Sequence, residues 1–160
     1  MQVFISYGSA VDQVTALRLQ ALGAVNGLNV YVPPAYTRQQ RQTTLDSEVS
    51  QQLTSSDVIL GVVGGVGLME ACRQELDASI RLGKNTMIMA DQLVAPQLAP
   101  FFGANLVVLD PANPQGAEGA IVHQLLAMKA EENSKKALLA LGTLALGLLI
   151  FADVYQEQPG

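Results

Sequence analysis

The sequence predicts an α/β protein with a flavodoxin-like, doubly wound, five-stranded parallel sheet in the order 2-1-3-4-5. Apolar residues make up 49% of the 160 residues, which is enough to bury one good core. Short apolar runs of strand length alternate with segments of helical spacing along the first 128 residues. The clearest such unit is residues 57–91, where DVILGVV, GGVG, LMEACRQELDASIRLGK and NTMIMA follow one another. These pieces predict a strand, a flexible connection, a helix and a second, parallel strand.

The first elements are defined by apolar spacing and by capping residues. VFIS, at residues 3–6, is typical of a strand, and Asp12 is a candidate N-cap for the helix that follows. That helix has apolar residues at intervals of three and four, namely Val14, Leu17, Ala21 and Leu22. It is expected to end near Asn26 and Gly27. LNVYVPP then predicts a second strand, which two prolines stop.

The later elements follow the same alternation. AYTRQQRQTTLD, residues 35–46, is polar and long enough to be a functional loop. A short helix is expected around residues 47–53. The third strand is expected at Val58, the fourth at Thr86 and the fifth at residues 105–109. Between the last two strands VAPQLAPFFG predicts a short or irregular helix, because its prolines restrict the backbone.

Composition makes several classes of function improbable. The net charge of −5 and the pI near 4.7 argue against a nucleic-acid partner, because phosphate binding needs clustered Lys and Arg. The single cysteine, Cys72, permits no internal disulfide, and with the single histidine, His123, it gives no support to a metal site. The first apolar run starts at residue 3 and is only five residues long, so no signal peptide is expected.

Ligands of doubly wound sheets bind outside the carboxyl ends of the strands, which directs attention to three segments. Tyr7, Gly8 and Ser9 end the first strand at the expected switch point, where they could approach a phosphate or ribose or simply form a turn. The glycine-rich loop after the third strand leads into the helix that carries Glu75. Arg38, in the polar loop after the second strand, is either a site residue or a solvated one.

The order of these pieces resembles the Toll/interleukin-1 receptor (TIR) domain, in particular its prokaryotic, enzymatic branch. The resemblance covers roughly residues 2–128. Its most specific segments are FISY at residues 4–7 and ACRQELDA at residues 71–78, which is followed by GKN. The strands and helices expected between these segments come in the order that the family has.

The resemblance implies an NAD+ glycohydrolase or ADP-ribosyl cyclase in which Glu75 is the catalytic glutamate. Nicotinamide is already a cationic leaving group in NAD+, so one carboxylate beside the ribosyl cation suffices. NAD+ would be the substrate, and no separate cofactor is implied. The residues expected to contact NAD+ are Tyr7, Gly8, Ser9, Arg38 and Cys72. The family also implies homo-oligomers formed through TIR–TIR contacts, and a role in antiviral defence or signalling.

Other interpretations of the same residues stay open. Glu75 could be a solvated or ion-paired helix residue, and Cys72, one turn before it, could be a small core residue. The chain could be a non-enzymatic TIR module that pairs with other TIR domains through the loop at residues 35–46. A nucleoside deoxyribosyltransferase-like enzyme would share the fold and a glutamate on the equivalent helix, although FISY favours the TIR family.

The last thirty residues differ in character from the rest. The sequence predicts a TIR-like domain at residues 1–130 and a charged linker with an apolar C-terminal helix at residues 131–160. ALLALGTLALGLLIFA, residues 137–152, contains no charged residue. With Lys135 and Lys136 before it, residues 137–155 could anchor a cytoplasmic domain to the membrane. The alternative is a soluble assembly helix buried among copies of itself.

Overall fold

The computed structural model describes residues 1–39 and 45–131, and in this part of the chain five parallel strands form one sheet in the order β2-β1-β3-β4-β5. The strands are β1 (Gln2–Tyr7), β2 (Asn29–Tyr31), β3 (Val58–Val63), β4 (Asn85–Asp91) and β5 (Leu106–Leu109). The predicted flavodoxin-like fold and strand order are therefore confirmed.

Helices connect the strands. They are α1 (Ala10–Val25), α2 (Tyr36–Gln39), α3 (Ser47–Ser55), α4 (Glu70–Arg81), α5 (Ala95–Phe102) and α6 (Pro114–Ala130). A 3₁₀ turn, Gly103–Asn105, leads from α5 into β5. The segment with two prolines forms the short helix α5. Pro96 lies in its first turn, where the missing amide proton costs nothing, whereas Pro100 lies inside the helix.

The core has two halves, one on each face of the sheet. Strand residues alternate between the faces, so Phe4 and Ile59 face α3, α4 and α5 while Ile5 and Leu60 face α1 and α6. β3, at the centre, is buried along its whole length. Both faces are covered, as parallel sheets require, and ligands can approach the sheet only at its edges and ends.

A glycine lets α4 approach the sheet closely. Gly61 is paired with Ser6 of β1, and a Cβ at Gly61 would lie 2.7 Å from Ile88 Cδ1 and 3.2 Å from Leu76 Cδ2. The absence of a side chain there brings the middle of α4 down onto β1 and β3. Glu75 is thereby placed over the end of β1.

The predicted N-cap of α1 is wrong. The N-cap is Ser9, whose hydroxyl accepts a hydrogen bond from the Asp12 amide, and Asp12 lies inside the first turn. The apolar residues Val14, Leu17, Ala21 and Leu22, whose spacing predicted the helix, are exposed, and the buried side consists of Asp12, Ala16, Leu19 and Gly23. The spacing of three and four is present on both sides of this helix, and the side that fits against the sheet carries Leu19 together with the small residues Ala16 and Gly23.

The apolar C-terminal segment and part of the polar loop lie outside the described residues. The domain boundary near residue 130, the apolar C-terminal helix and membrane attachment through residues 137–155 therefore stay predictions. Within residues 1–39 and 45–131, none of the helices has the length and apolar character needed to cross a membrane.

Candidate active site

Glu75 is a buried carboxylate at the point where the strand order reverses between β1 and β3. It lies in the second turn of α4, and only 1% of its surface is exposed. Ser6 of β1 donates a hydrogen bond from its hydroxyl to Glu75 Oε1, at 2.7 Å. Burial raises the pKa of Glu75 above its ordinary value, and the hydrogen bonds and positive charge of Arg38, together with the Ser6 hydroxyl, act in the opposite direction.

Arg38 forms a two-pronged ion pair with Glu75. Its Nη1 donates to Glu75 Oε1 at 2.7 Å and to the Tyr7 carbonyl at 2.9 Å, while its Nη2 donates to Glu75 Oε2. The guanidinium lies 4.8 Å from the centre of the Tyr7 ring. The side chains of Arg38 and Glu75 are only 5% and 2% exposed, so the paired carboxylate is hidden from solvent. Sequence analysis proposed both residues for the site, and the structure brings them together.

Ser6 is a site residue that sequence analysis missed. Its side chain is fully buried and faces α4, and it holds Glu75 in place. The available signal was a hydroxyl inside an otherwise apolar strand, because a buried polar group needs a partner. FISY, the very segment that carries the family resemblance, contains this serine.

Tyr7, Gly8 and Ser9 line a narrow cleft beside the ion pair. The cleft has a volume of about 120 Å³ and is also lined by Ala10, Gln13, Ala35, Arg38 and Gln39. The Tyr7 hydroxyl donates to the Pro33 carbonyl at 2.6 Å, which ties β1 to the segment after β2. Sites for drug-sized ligands usually occupy 300–1,000 Å³, so this cleft is too small for a dinucleotide.

Cys72 lies beneath the site, one turn before Glu75. Its side chain is buried, and burial raises the pKa of the thiol to about 12. A thiol in such surroundings is protonated at neutral pH and has no nucleophilic character. His123 is exposed on α6, away from the site.

Asp12 is a second buried carboxylate at the same edge of the sheet, and sequence analysis gave it only a capping role. It is 4% exposed, and its Oδ2 has no hydrogen-bond partner. Burial raises its pKa, whereas hydrogen bonds from Ser9 and from the Gly64 backbone favour the charged form. A Cβ at Gly64 would lie 2.3 Å from Asp12 Oδ1. Asp12 thus packs against the first glycine of the loop after β3.

The arrangement can present one anionic carboxylate at the end of β1, provided that Arg38 moves. Among the described residues, no three carboxylate, thiol or imidazole side chains are grouped so that they could hold a metal ion. Arg41, the other arginine of the polar loop, lies outside the described residues.

Comparison with known proteins supports the fold and leaves the family open. No family model and no curated protein matches the chain. The TIR domains of the activated Roq1 resistosome, which directly recognizes the pathogen effector XopQ, are similar in structure at 14% identity with a TM-score of 0.47, over 98% of this chain and 91% of that chain. A putative quinone reductase from Klebsiella pneumoniae is similar at 11% identity with a TM-score of 0.51, over 80% of this chain and 85% of that one. The similarity to the reductase concerns the shared α/β fold.

Proposed function

We propose that this chain cleaves the bond between nicotinamide and ribose in NAD+, as a glycohydrolase or an ADP-ribosyl cyclase. The observation that carries the proposal is the position of Glu75, a buried carboxylate fixed by Ser6 at the switch point of the sheet. The choice of NAD+ as the substrate rests on the segments FISY and ACRQELDA, which resemble those of enzymatic TIR domains. NAD+ is consumed in this reaction and is not a cofactor.

A single carboxylate is sufficient for this reaction. When the C1′–N bond breaks, both bonding electrons leave with nicotinamide, which becomes neutral, and the positive charge passes to the ribosyl group. An anionic Glu75 beside the ribose stabilises that charge and accepts hydrogen bonds from the ribose hydroxyls. Water then adds to C1′ and loses a proton to give ADP-ribose. A nucleophilic nitrogen of the adenine ring gives a cyclic product instead.

Substrate entry requires the ion pair between Glu75 and Arg38 to open. The carboxylate is covered, and the adjoining cleft of about 120 Å³ cannot hold a dinucleotide. Arg38 lies in the last turn of the short helix α2, so a movement of α2 away from α4 would free both partners. The released guanidinium can then bind the pyrophosphate of NAD+ through the same two-pronged geometry. We therefore propose that Arg38 exchanges a carboxylate partner for a phosphate partner.

Self-association is the proposed trigger for this opening. The polar segment at residues 35–46 is the expected contact between copies, and Tyr36 in it is 55% exposed. A contact that moves α2, which carries Arg38, would uncover Glu75. A role in antiviral defence or signalling would follow from NAD+ depletion or from the nucleotide product.

The experiment that tests the proposal is product analysis. The full-length protein is incubated with NAD+ at several protein concentrations, and the products are identified by mass. We expect nicotinamide and, in equal amount, ADP-ribose or a cyclic isomer. A parallel incubation with a 2′-deoxynucleoside and a free base tests the deoxyribosyltransferase alternative. Intact NAD+ at every protein concentration would exclude the proposal.

A non-enzymatic interaction module is the second candidate, and the sealed state of Glu75 favours it. In that case the ion pair with Arg38 is structural, and the exposed surface of α2 serves only to bind other copies. A Tyr36→Asp variant separates the two candidates. It should weaken both self-association and NAD+ cleavage if the chain is an enzyme that assembly activates. If the chain is only an interaction module, the wild type does not cleave NAD+, and the variant loses self-association alone.

A further inference from the structure

The outer surface of α1 is apolar, although it faces away from the core. Five large apolar side chains are between 38% and 86% exposed there, namely Val11, Val14, Leu17, Leu22 and Val25. The side of α1 that packs on the sheet carries Ala16 and Leu19. An ordinary surface helix has polar residues opposite its buried side, and a contiguous apolar surface usually marks a contact with another chain segment, protein or membrane.

The charged side chain on the exposed side of α1 is already paired. Arg18 is the charged residue of the exposed side, and it forms an ion pair with Glu118 of α6 at 3.1 Å. Between the two helices lies a groove of about 500 Å³. It is lined by Arg18, Ala21, Leu22, Gln115, Glu118 and Gly119. The outer surface of α1 and this groove therefore form one continuous site for an apolar segment, which we call the α1 surface.

The end of α6 lies close to the α1 surface, so the segment that follows α6 begins there. α6 runs beside α1, and Lys129 Nζ donates to the Gly27 carbonyl at 3.0 Å, just beyond the end of α1. Glu131 follows the last residue of α6, and residues 132–160 continue the chain from this point. They include the uncharged apolar residues 137–152. Linkage through a few residues gives this segment an effective concentration in the millimolar range at the α1 surface, far above that of a free partner.

We propose that residues 137–152 dock on the α1 surface of the same chain, antiparallel to α1. The lengths match, because 16 residues in a helix span roughly 24 Å and α1 also has 16 residues. The linker at residues 132–136 can extend to about 17 Å, which is enough to reverse the chain direction. Charge supports the orientation as well. Lys135 and Lys136 would lie near the carboxyl end of α1, whose last turn contains no basic residue to balance its dipole.

Antiparallel docking makes a specific prediction about neighbours. If Ala137 lies beside Val25, then Leu148 lies beside Val14. We would introduce Val14→Cys with Leu148→Cys in the full-length chain and treat dilute protein with a short bis-maleimide. The native Cys72 is buried and should not react. The matched control is Val25→Cys with Leu148→Cys, in which both sites exist but lie at opposite ends of the pairing.

The expected result is cross-linking within one chain for the Val14 pair, roughly tenfold faster than for the control pair. Cross-links that form mainly between chains would overturn the proposal in favour of an assembly helix. Equal rates for the two pairs would overturn the antiparallel arrangement. In a second arm, phosphatidylcholine vesicles are added before the reagent. The proposal would be overturned in favour of a membrane anchor by two results together. The protein would bind to the vesicles through its tail, and the Val14 pair would not cross-link when vesicles are left out.

A second measurement does not depend on cross-linking. Val14→Cys and Leu93→Cys are compared singly for their rate of reaction with a maleimide. Val14 is 59% exposed and Leu93 is 74% exposed in the described part of the chain, so similar rates are expected if nothing covers α1. Docking of the tail should slow the reaction at position 14 by about tenfold or more, because the cysteine there can react only while the tail is locally detached. Similar rates at the two sites would contradict the proposal.

Discussion

At the residue scale, the contact between Glu75 and Arg38 dominates the energetics of the site. Both side chains are almost fully removed from solvent, and each would be costly to bury alone. Ser6 and the Tyr7 carbonyl supply the further hydrogen bonds that make the pair tolerable. The pair is therefore stable only as a unit, and any movement of Arg38 must be compensated by water or by a ligand at Glu75.

Removing Arg38 alone should be severely destabilising. We expect Arg38→Met to lower the free energy of unfolding by about 3–5 kcal/mol at pH 7, because a buried carboxylate loses its partner. Adding Glu75→Gln to this variant should restore much of the loss, since the unpaired charge is then gone. Urea denaturation of the two single variants, the double variant and the wild type gives the coupling energy. If the Arg38→Met single variant is as stable as the wild type, Glu75 is not buried beneath Arg38 in solution.

Asp12 should make stability depend on pH in the acid range. Burial raises the pKa of Asp12 in the folded protein above its value in the unfolded chain. The folded state therefore binds the proton more tightly, and the contribution of Asp12 to stability decreases as the pH rises through the range between these two values. Above that range the charged, half-satisfied carboxylate destabilises the fold. We expect Asp12→Asn to stabilise the protein at pH 7 by roughly 1 kcal/mol.

The measurement is chemical denaturation of the wild type and of Asp12→Asn at pH 7 and at mildly acid pH. The advantage of Asn over Asp should shrink as the pH falls, because Asp12 then becomes neutral as well. An advantage that grows toward acid pH would mean that the folded protein depresses the pKa of Asp12.

At the element scale, close contact between β1 and α4 depends on glycine. A Cβ at Gly8 would lie 2.2 Å from Met69 Cβ, directly before the first residue of α4. We expect Gly8→Ala to lower the free energy of unfolding by about 1–3 kcal/mol and to shift Glu75 relative to Ser6. The matched control is Gly119→Ala on α6, where nothing lies within 4 Å of the added Cβ. It should be neutral or stabilising by up to about 1 kcal/mol.

Thermal and urea unfolding of the two variants provide the comparison. Equal effects at Gly8 and Gly119 would mean that α4 can move outward at no cost, and the placement of Glu75 would then not depend on glycine.

The elements also show what a single sequence can and cannot predict. The strands were predictable because β3 and β4 are continuous apolar runs buried on both faces. The orientation of α1 was not predictable, because most of its large apolar residues lie outside, whereas the buried side carries only Leu19 with Ala16 and Gly23. Amphipathic spacing identifies a helix, but it fails to identify the buried side when the exposed side is apolar too.

At the scale of the whole molecule, the site was only partly predictable. The order of the strands placed Tyr7, Gly8, Ser9 and the start of α4 at one edge of the sheet, which the structure confirms. The contact between Arg38 and Glu75 joins residues that are 37 positions apart in the sequence, and no periodicity predicts such a contact. The role of the buried Ser6 hydroxyl was likewise not predictable, because its partner Glu75 is brought to it only by the packing of α4 on β1.

The central claim is that Glu75 carries the cleavage of NAD+, and the rate of nicotinamide release tests it most directly. Full-length wild type, Glu75→Gln and Glu118→Gln are compared at the same concentration. Glu118 is a suitable control because it is also a buried glutamate paired with an arginine, on the opposite side of the sheet. We expect Glu75→Gln to reduce the rate by about 10²–10³-fold or more while both variants keep the wild-type circular dichroism spectrum, since Gln lacks the charge that stabilises the ribosyl cation. Glu118→Gln should retain the rate of the wild type. A folded Glu75→Gln protein that releases nicotinamide as fast as the wild type would contradict the claim.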